Sequence, residues 1–330
     1  MKLTSPFSRY GPIGLDIGSC SVKAVQCRGN VPVACARFAR IQAEKPVDAA
    51  ELTNVAGVLR RQGFVGRDVA IVALADKLKS APLELPAKGA NVPIDRLARA
   101  EFCRLHKIDL EGSEFACWET PTALRSGKAT SLISVAYPHL DAEQQIALYE
   151  SAGLRVQAID THGSSLTRAC TPFIDPAKAS AILEMGWSSA VLVLVRNGRV
   201  AYERRIVDLA LSKVHQDLER AMELSFEESL AALFDATPQR SPAVTELLAD
   251  YFNLTSQELS KTIAYARHQY PESLVERIIL TGGGAELPYV ADQLGAICGI
   301  EAVRAAWSGA SHAIGLSVVA SAFGLSRFAA

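Results

Sequence analysis

Short apolar runs broken by glycine and serine open the chain. Ile13 to Ser21 and Val22 to Cys27 read as the two strands of a hairpin, and Val31 to Phe38 as a third strand. The period then changes. Leu52, Val55, Ala56 and Leu59 recur at helical spacing within Ala49 to Gln62, and Gly63 follows as a stop. Val69 to Ala73 is again strand-like, whereas Pro82 and Pro86 interrupt Lys77 to Gly89, which suits an edge strand or a loop. Pro93 to His106 predicts a helix, and Phe115 to Glu119 and Ser131 to Ala136 predict strands. The following helix is expected to be capped by Asp141, with Gln144 at the capping-box position, and to end at Gly153. Arg155 to Ile159 is one more strand, and Thr161 to Thr171 predicts a helix.

The opening pattern then recurs. Leu15, Asp16, Gly18, Ser21, Val25 and Arg28 return 168 positions later as Leu183, Glu184, Gly186, Ser189, Val193 and Arg196. Ala181 to Ser188 and Ala190 to Val195 therefore form a second hairpin, extended through the Asn197-Gly198 turn to Arg199 to Ile206. Leu211 to Glu223 begins a helical subdomain that runs to about Pro271. Ser225 with Glu228, and Thr255 with Glu258, are its expected capping boxes. Arg277 to Leu280 is a short buried strand, Thr281 to Gly284 a tight turn, and Leu287 to Cys298 a helix. Ala310 to Leu325 reads as a buried helix of small residues, too short for a membrane span.

Each hairpin carries an acid and a glycine at the end of its first strand, followed by a serine-rich turn. Glycine lets the backbone approach a phosphate, turn amides and hydroxyls donate to its oxygens, and a carboxylate holds a hydrated Mg²⁺. Asp16, Gly18, Ser19, Cys20 and Ser21 form the first candidate phosphate loop, and Glu184 with Gly186 the second. Lys23, on the outgoing strand, is either a phosphate contact or a solvated strand lysine. Asp160 is either an Mg²⁺ ligand or a helix cap. Gly282, Gly283 and Gly284 join a strand to a helix, a place where a base, ribose or phosphate lies against backbone. Lys213 and Glu219 are candidate ribose contacts. Asp160, His162 and Ser164 are two residues apart in no nucleophile-elbow pattern, so a helix start accounts for them better than a catalytic triad.

The chain has 330 residues and a formal net charge of −1, with no basic run, so a nucleic-acid partner is not expected. Seven scattered cysteines argue for a reducing compartment, the cytosol, and against a zinc site. The first twelve residues lack the apolar core of a signal peptide.

Hairpin, connecting helix, hairpin, helical cap and glycine turn, in that order, resemble the actin-like ATPase superfamily. Within it, Gly14-Leu15-Asp16-Ile17-Gly18-Ser19-Cys20-Ser21-Val22-Lys23-Ala24-Val25, the stretch Tyr149 to Leu154 leading to Ala158-Ile159-Asp160, Glu223 to Glu228 and Gly283 to Pro288 are similar to the PilM family of type IV pilus assembly. The resemblance implies an α/β fold of two lobes, each with a mixed sheet and helices, and an inserted subdomain of the FtsA/PilM type. Residues 11–66 with 155–178 would form the first lobe, 67–154 the insertion, and 179–330 the second lobe, with its helical cap at about 210–272.

It also implies ATP and Mg²⁺ in the central cleft, with Asp16 and Asp160 as metal ligands. The implied partner is the cytoplasmic N-terminal segment of a PilN-like inner-membrane protein, which would bring the chain to the membrane only indirectly, and a homo-oligomer is open. Glu184 stands where the family's usual residue is Asp, and Leu209-Ala210-Leu211 where such proteins often place a glycine pair. A displaced carboxylate can cost about 100-fold in rate, so at most slow ATP hydrolysis is expected. An FtsA-like membrane filament and a small-molecule kinase are the alternatives. The filament usually needs an amphipathic tail, whereas this sequence ends at Ser326 to Ala330 directly after a core-like helix.

Overall fold

The computed structural model describes residues 10–87, 92–108, 111–120, 129–237, 240–269, 274–307 and 316–328. Apolar alternation builds β1 (Tyr10–Ile17), β2 (Ser21–Arg28) and β3 (Val31–Ala39), two consecutive hairpins. Asp48, which accepts the Glu51 amide, starts α1 (Ala49–Arg61), and β4 (Asp68–Val72) follows. Next come β5 (Lys79–Leu85), α2 (Ile94–His106), β6 (Ser113–Glu119) and β7 (Thr130–Pro138). The chain returns through α3 (His139–Ser151), β8 (Arg155–Asp160) and α4 (His162–Cys170).

The second half repeats the plan with β9 (Ala179–Met185), β10 (Ala190–Arg196) and β11 (Arg199–Ile206). Then come α5 (Leu211–Met222), α6 (Phe226–Phe234) and α7 (Pro242–Gln269), followed by β12 (Val275–Thr281), α8 (Val290–Cys298), β13 (Glu301–Arg304) and α9 (Ala320–Ser326). The end of the cap near Pro271 and residues 310–315 of the expected last helix lie outside the described residues.

The first sheet has the order β3-β2-β1-β4-β8 and the second β11-β10-β9-β12-β13, so two equivalent five-stranded sheets carry the sequence repeat. In both, the hairpins are antiparallel and the inner strands beyond them parallel. β5, β7 and β6 form a separate sheet packed on α2, with Phe102 and Phe115 in its core. Pro82 sits in β5, an edge strand, where its missing N–H costs no ladder bond.

Two boundaries differ from expectation. β4 pairs with β1 and β8 in the first sheet, and Tyr149 of α3 packs into the first-lobe core, so the separate sheet unit spans β5 to β7 rather than 67–154. Asp141 does not cap α3. The strand β7 runs straight into the helix at Pro138, leaving Asp141 inside the first turn, 3.7 Å from the Lys77 ammonium. Thr255 and Glu258 likewise open no helix. They lie within the 28-residue α7, where the Thr255 hydroxyl donates to the Tyr251 carbonyl one turn back. The Ser225–Glu228 capping box is present as expected.

A third core joins the lobes: Val25 and Cys27 of β2, Leu166 and Ala169 of α4, Ile182 of β9, Val193 of β10, and Ala322 and Phe323 of α9 are buried together. Small residues make this possible. A side chain at Gly14 would place its Cβ 1.9 Å from the Ala322 carbonyl oxygen, and one at Gly324 would stand 1.8 Å from that of Ser165. α9 therefore touches β1 and α4 backbone to backbone.

Candidate functional site

The antiparallel register of β1 and β2 sets Asp16 opposite Lys23, and Lys23 Nζ donates to Asp16 Oδ2 at 3.1 Å. The turn between them closes with Gly18 N–H donating to the Ser21 carbonyl at 3.0 Å. Its counterpart is the same, Gly186 N–H to the Ser189 carbonyl at 3.1 Å. The sequence repeat is thus a repeat of turn geometry. It is not a repeat of charge, because the position equivalent to Lys23 is Val191, a core residue. Ser19 Oγ is buried beside Cys20, whose thiol is raised by burial against the hydrogen bond from Ser19.

Glu184, buried near the end of β9, is in ion-pair contact with His162, the first residue of α4. Burial opposes the charge on both. For His162 the Glu184 carboxylate outweighs it and raises the imidazole to about 9, so it is a cation at neutral pH. For Glu184, His162 and then Lys23 hold the carboxyl below its ordinary range against that burial. Lys23 is raised in spite of its own burial by Asp16 and by Glu184 of the other lobe. Glu203 of β11 lies beside this group and accepts from the Gly163 amide.

Asp160 is neither free nor the cap of α4. Thr161 is the cap, its hydroxyl accepting the Ser164 amide at 3.2 Å, because Asp160 is the last residue of β8 and its carboxylate is drawn to the Arg168 guanidinium. Its other oxygen accepts the Thr161 amide at 2.8 Å. Among the described residues no group of three His, Cys, Asp or Glu side chains is arranged to hold a metal ion. As the side chains stand, Asp16 and Asp160 fit Mg²⁺ poorly, since each is already paired with a cation.

Arg40, which no sequence pattern marks, fixes the first turn. Its guanidinium, paired with the buried Glu51, donates to the carbonyls of Gly18, Ser19 and Lys45 at 3.2, 3.4 and 2.8 Å. The Glu44 amide donates to the Ser19 carbonyl at 2.7 Å. Glu44 also reaches across the cleft to accept the Trp187 indole N–H of the second turn at 3.0 Å.

The second turn is backed by α5, whose Leu211 and Ser212 amides donate to the Gly186 and Trp187 carbonyls. These helix amides are consumed by the turn, and Leu209, Ala210 and Leu211 are buried in the second-lobe core. Lys213 pairs with Asp208, and Glu219 lies 3.5 Å from the buried His215.

The glycine turn packs beneath the second hairpin. Gly282, at φ +82°, brings its backbone so close that a Cβ would lie 2.7 Å from the Met185 carbonyl oxygen. Gly283 begins a short 3-10 turn, and Tyr289, with a left-handed φ of 62°, separates it from α8. The helix therefore starts at Val290, not Leu287, since Pro288 and the left-handed Tyr289 break the chain direction.

Two lobes of one topology, each presenting an acid-glycine hairpin turn to a common cleft and joined through α4 and α9, define the actin-like ATPase fold. Solved structures of the same fold include EutJ, an ethanolamine utilization protein from Carboxydothermus hydrogenoformans (14% identity, 99% of this chain and 91% of that chain, TM-score 0.60). MreB5 of Spiroplasma citri bound to ADP is another (10% identity, 98% and 97% covered, TM-score 0.55). The family described as type IV pilus assembly protein PilM matches residues 120–306, more than half of the sequence, and the chain belongs to that family. It is also similar to a solved PilM-PilN type IV pilus biogenesis complex, at 19% identity over 96% of this chain and 97% of that one, with a TM-score of 0.75. No curated protein matches it by sequence. No helix among the described residues is long and apolar enough to cross a membrane.

Proposed function

We propose that this actin-like pilus-assembly protein is a nucleotide-binding scaffold on the cytoplasmic face of the inner membrane, holding the N-terminal segment of a PilN-like membrane protein. The observation that carries this reading is family membership together with similarity over nearly the whole chain to the PilM-PilN complex. ATP would lie in the cleft, with its phosphates against the turns at Gly18, Ser19, Cys20, Ser21 and Gly186, near Lys23, and its adenosine toward Gly282 to Gly284. The buried Ser19 hydroxyl and the Cys20 thiol beside it line the first turn where a phosphate oxygen would lie. Nucleotide shifts the lobes only if it binds the open and closed states with different affinity.

Hydrolysis would be slow at best. Glu184 is committed to His162, so it is poorly placed to orient an attacking water. Lys213 and Glu219 stay with the proposal as ribose contacts only if they leave Asp208 and His215 when nucleotide binds.

Calorimetry with a synthetic peptide of the PilN-like N-terminal segment tests the partner, and saturable one-to-one binding is expected. Titration with ATP tests the cleft. Lys23→Met is expected to weaken ATP by about tenfold, roughly 1.4 kcal/mol. Absence of peptide binding removes the scaffold reading, and absence of ATP binding leaves a nucleotide-free adaptor.

A further inference from the structure

The two five-stranded sheets differ at the end away from the cleft. In the first, the start of β1, the Gly29-Asn30 turn between β2 and β3, and the starts of β4 and β8 lie side by side. At a strand rise of roughly 3.3 Å per residue they stand about 25 Å from Gly18. Register sets Tyr10 opposite Arg28, whose guanidinium lies over the tyrosine ring at 5.7 Å, and Arg28 opposite Val31. Gln26 ties in the loop before β4, donating to the Gly11 and Val65 carbonyls at 3.0 and 2.7 Å. Arg327 donates to Asn30 at 3.3 Å and brings its neighbour Phe328 to the same end.

Tyr10, Val31, Val65 and Phe328 are 46–52% exposed there. Arg60 and Arg61 close α1 and Arg67 precedes β4, all three exposed. The nearby acids are Asp68, gripped by Arg155 through two N–H groups at 2.6 and 2.8 Å, and Glu150 in the last turn of α3. The second sheet is an internal control. At its equivalent end Lys178 is paired with Glu276 and Arg277 with Glu301. Only the first lobe gathers arginine in excess of acid at this end, in a chain whose net charge is −1.

Arginines set among half-exposed tyrosine, phenylalanine and valine match the surface of an anionic bilayer, where guanidinium forks pair with lipid phosphates and aromatic rings settle at headgroup depth. The groups spread over five neighbouring strand ends, about 19 Å at roughly 4.8 Å per strand. That breadth suits a surface better than one extended peptide.

We propose that the far end of the first sheet is a contact surface for anionic phospholipid. This goes beyond the scaffold reading, in which the membrane is reached only through a partner, and gives the chain a direct contact of its own.

Cosedimentation of the full chain with vesicles tests it. No PilN-like peptide is present, so failure here is separate from failure of the partner titration above. Vesicles of phosphatidylglycerol and phosphatidylcholine are expected to bind the wild type at low salt at least about tenfold more tightly than phosphatidylcholine alone, and to release it at high salt. Removing three charges with Arg60→Gln, Arg61→Gln and Arg67→Gln together should weaken binding about a hundredfold, at about fivefold per arginine. Thermal melts check that this variant is folded. Should it melt early, Arg67→Gln alone carries the test, with an expected loss of about fivefold. No sedimentation with the anionic vesicles, equal binding to both kinds, or wild-type binding by the folded variant each overturns the proposal.

Discussion

Arg40 holds the turn of the first hairpin through three backbone carbonyls, yet its position depends on Glu51, a buried carboxylate on α1. Removing one partner of a buried pair leaves the other charged and desolvated, typically at a cost of 3–5 kcal/mol. Glu51→Ala is therefore expected to lower unfolding free energy by about 3–5 kcal/mol in urea titration. A change below about 1 kcal/mol would mean that the carbonyls satisfy the guanidinium unaided. None of this was legible beforehand, because Arg40 and Glu51 carry no motif and meet only when α1 folds back on the first hairpin. Asp16 and Glu184 were legible, since an acid before a glycine turn is a local pattern. Their partners were not: Lys23 was read as a phosphate contact or a solvated strand lysine rather than as the partner of Asp16, and His162 only as part of a helix start.

Elements followed their apolar periods closely, and the misreadings cluster where a local capping signal met a tertiary constraint. Ser225 with Glu228 caps α6, whereas the same kind of pair at Thr255 and Glu258 lies inside α7, where a continuous buried face overrides the local alternative. The most demanding element is α9, a seven-residue helix whose glycine touches α4 backbone. Gly324→Ala would force its new methyl into the Ser165 carbonyl, and a loss of about 3 kcal/mol or more is expected. Gly57→Ala is the contrast. That position is mid-helix in α1 and meets only the flexible Arg61 side chain, so a gain of about 0.5–1 kcal/mol is expected. Thermal melts of the two variants check both signs, and equal effects would refute the close approach of α9 and α4.

At the scale of the whole molecule, the lobes meet through a buried core and through polar contacts that include His162 with Glu184 and the hydrogen bond from Trp187 to Glu44. The other two tryptophans are engaged elsewhere, Trp118 with the Val200 carbonyl and Trp307 with that of Ala169. Nucleotide that moves the lobes should therefore change tryptophan emission through Trp187, and Trp187→Phe should reduce the change while ATP still binds, the remainder coming from Trp118, which also bridges to the second lobe. Unchanged emission in the saturated wild type would mean that the lobes do not move.

The sequence by itself determined the two hairpins, their repeat, the helical cap and the glycine turn, because strand alternation, helical spacing and turn residues act within a few positions of one another. Only the tertiary structure decided that β4 belongs to the first sheet, that α4 and α9 weld the lobes, and that Asp16, Asp160 and Glu184 each pair with a cation. The welding of the lobes depends on close packing between segments more than a hundred residues apart, and the charge pairs, though only 7 and 8 residues apart for Asp16 with Lys23 and Asp160 with Arg168, depend on strand register and helix direction rather than on any residue motif.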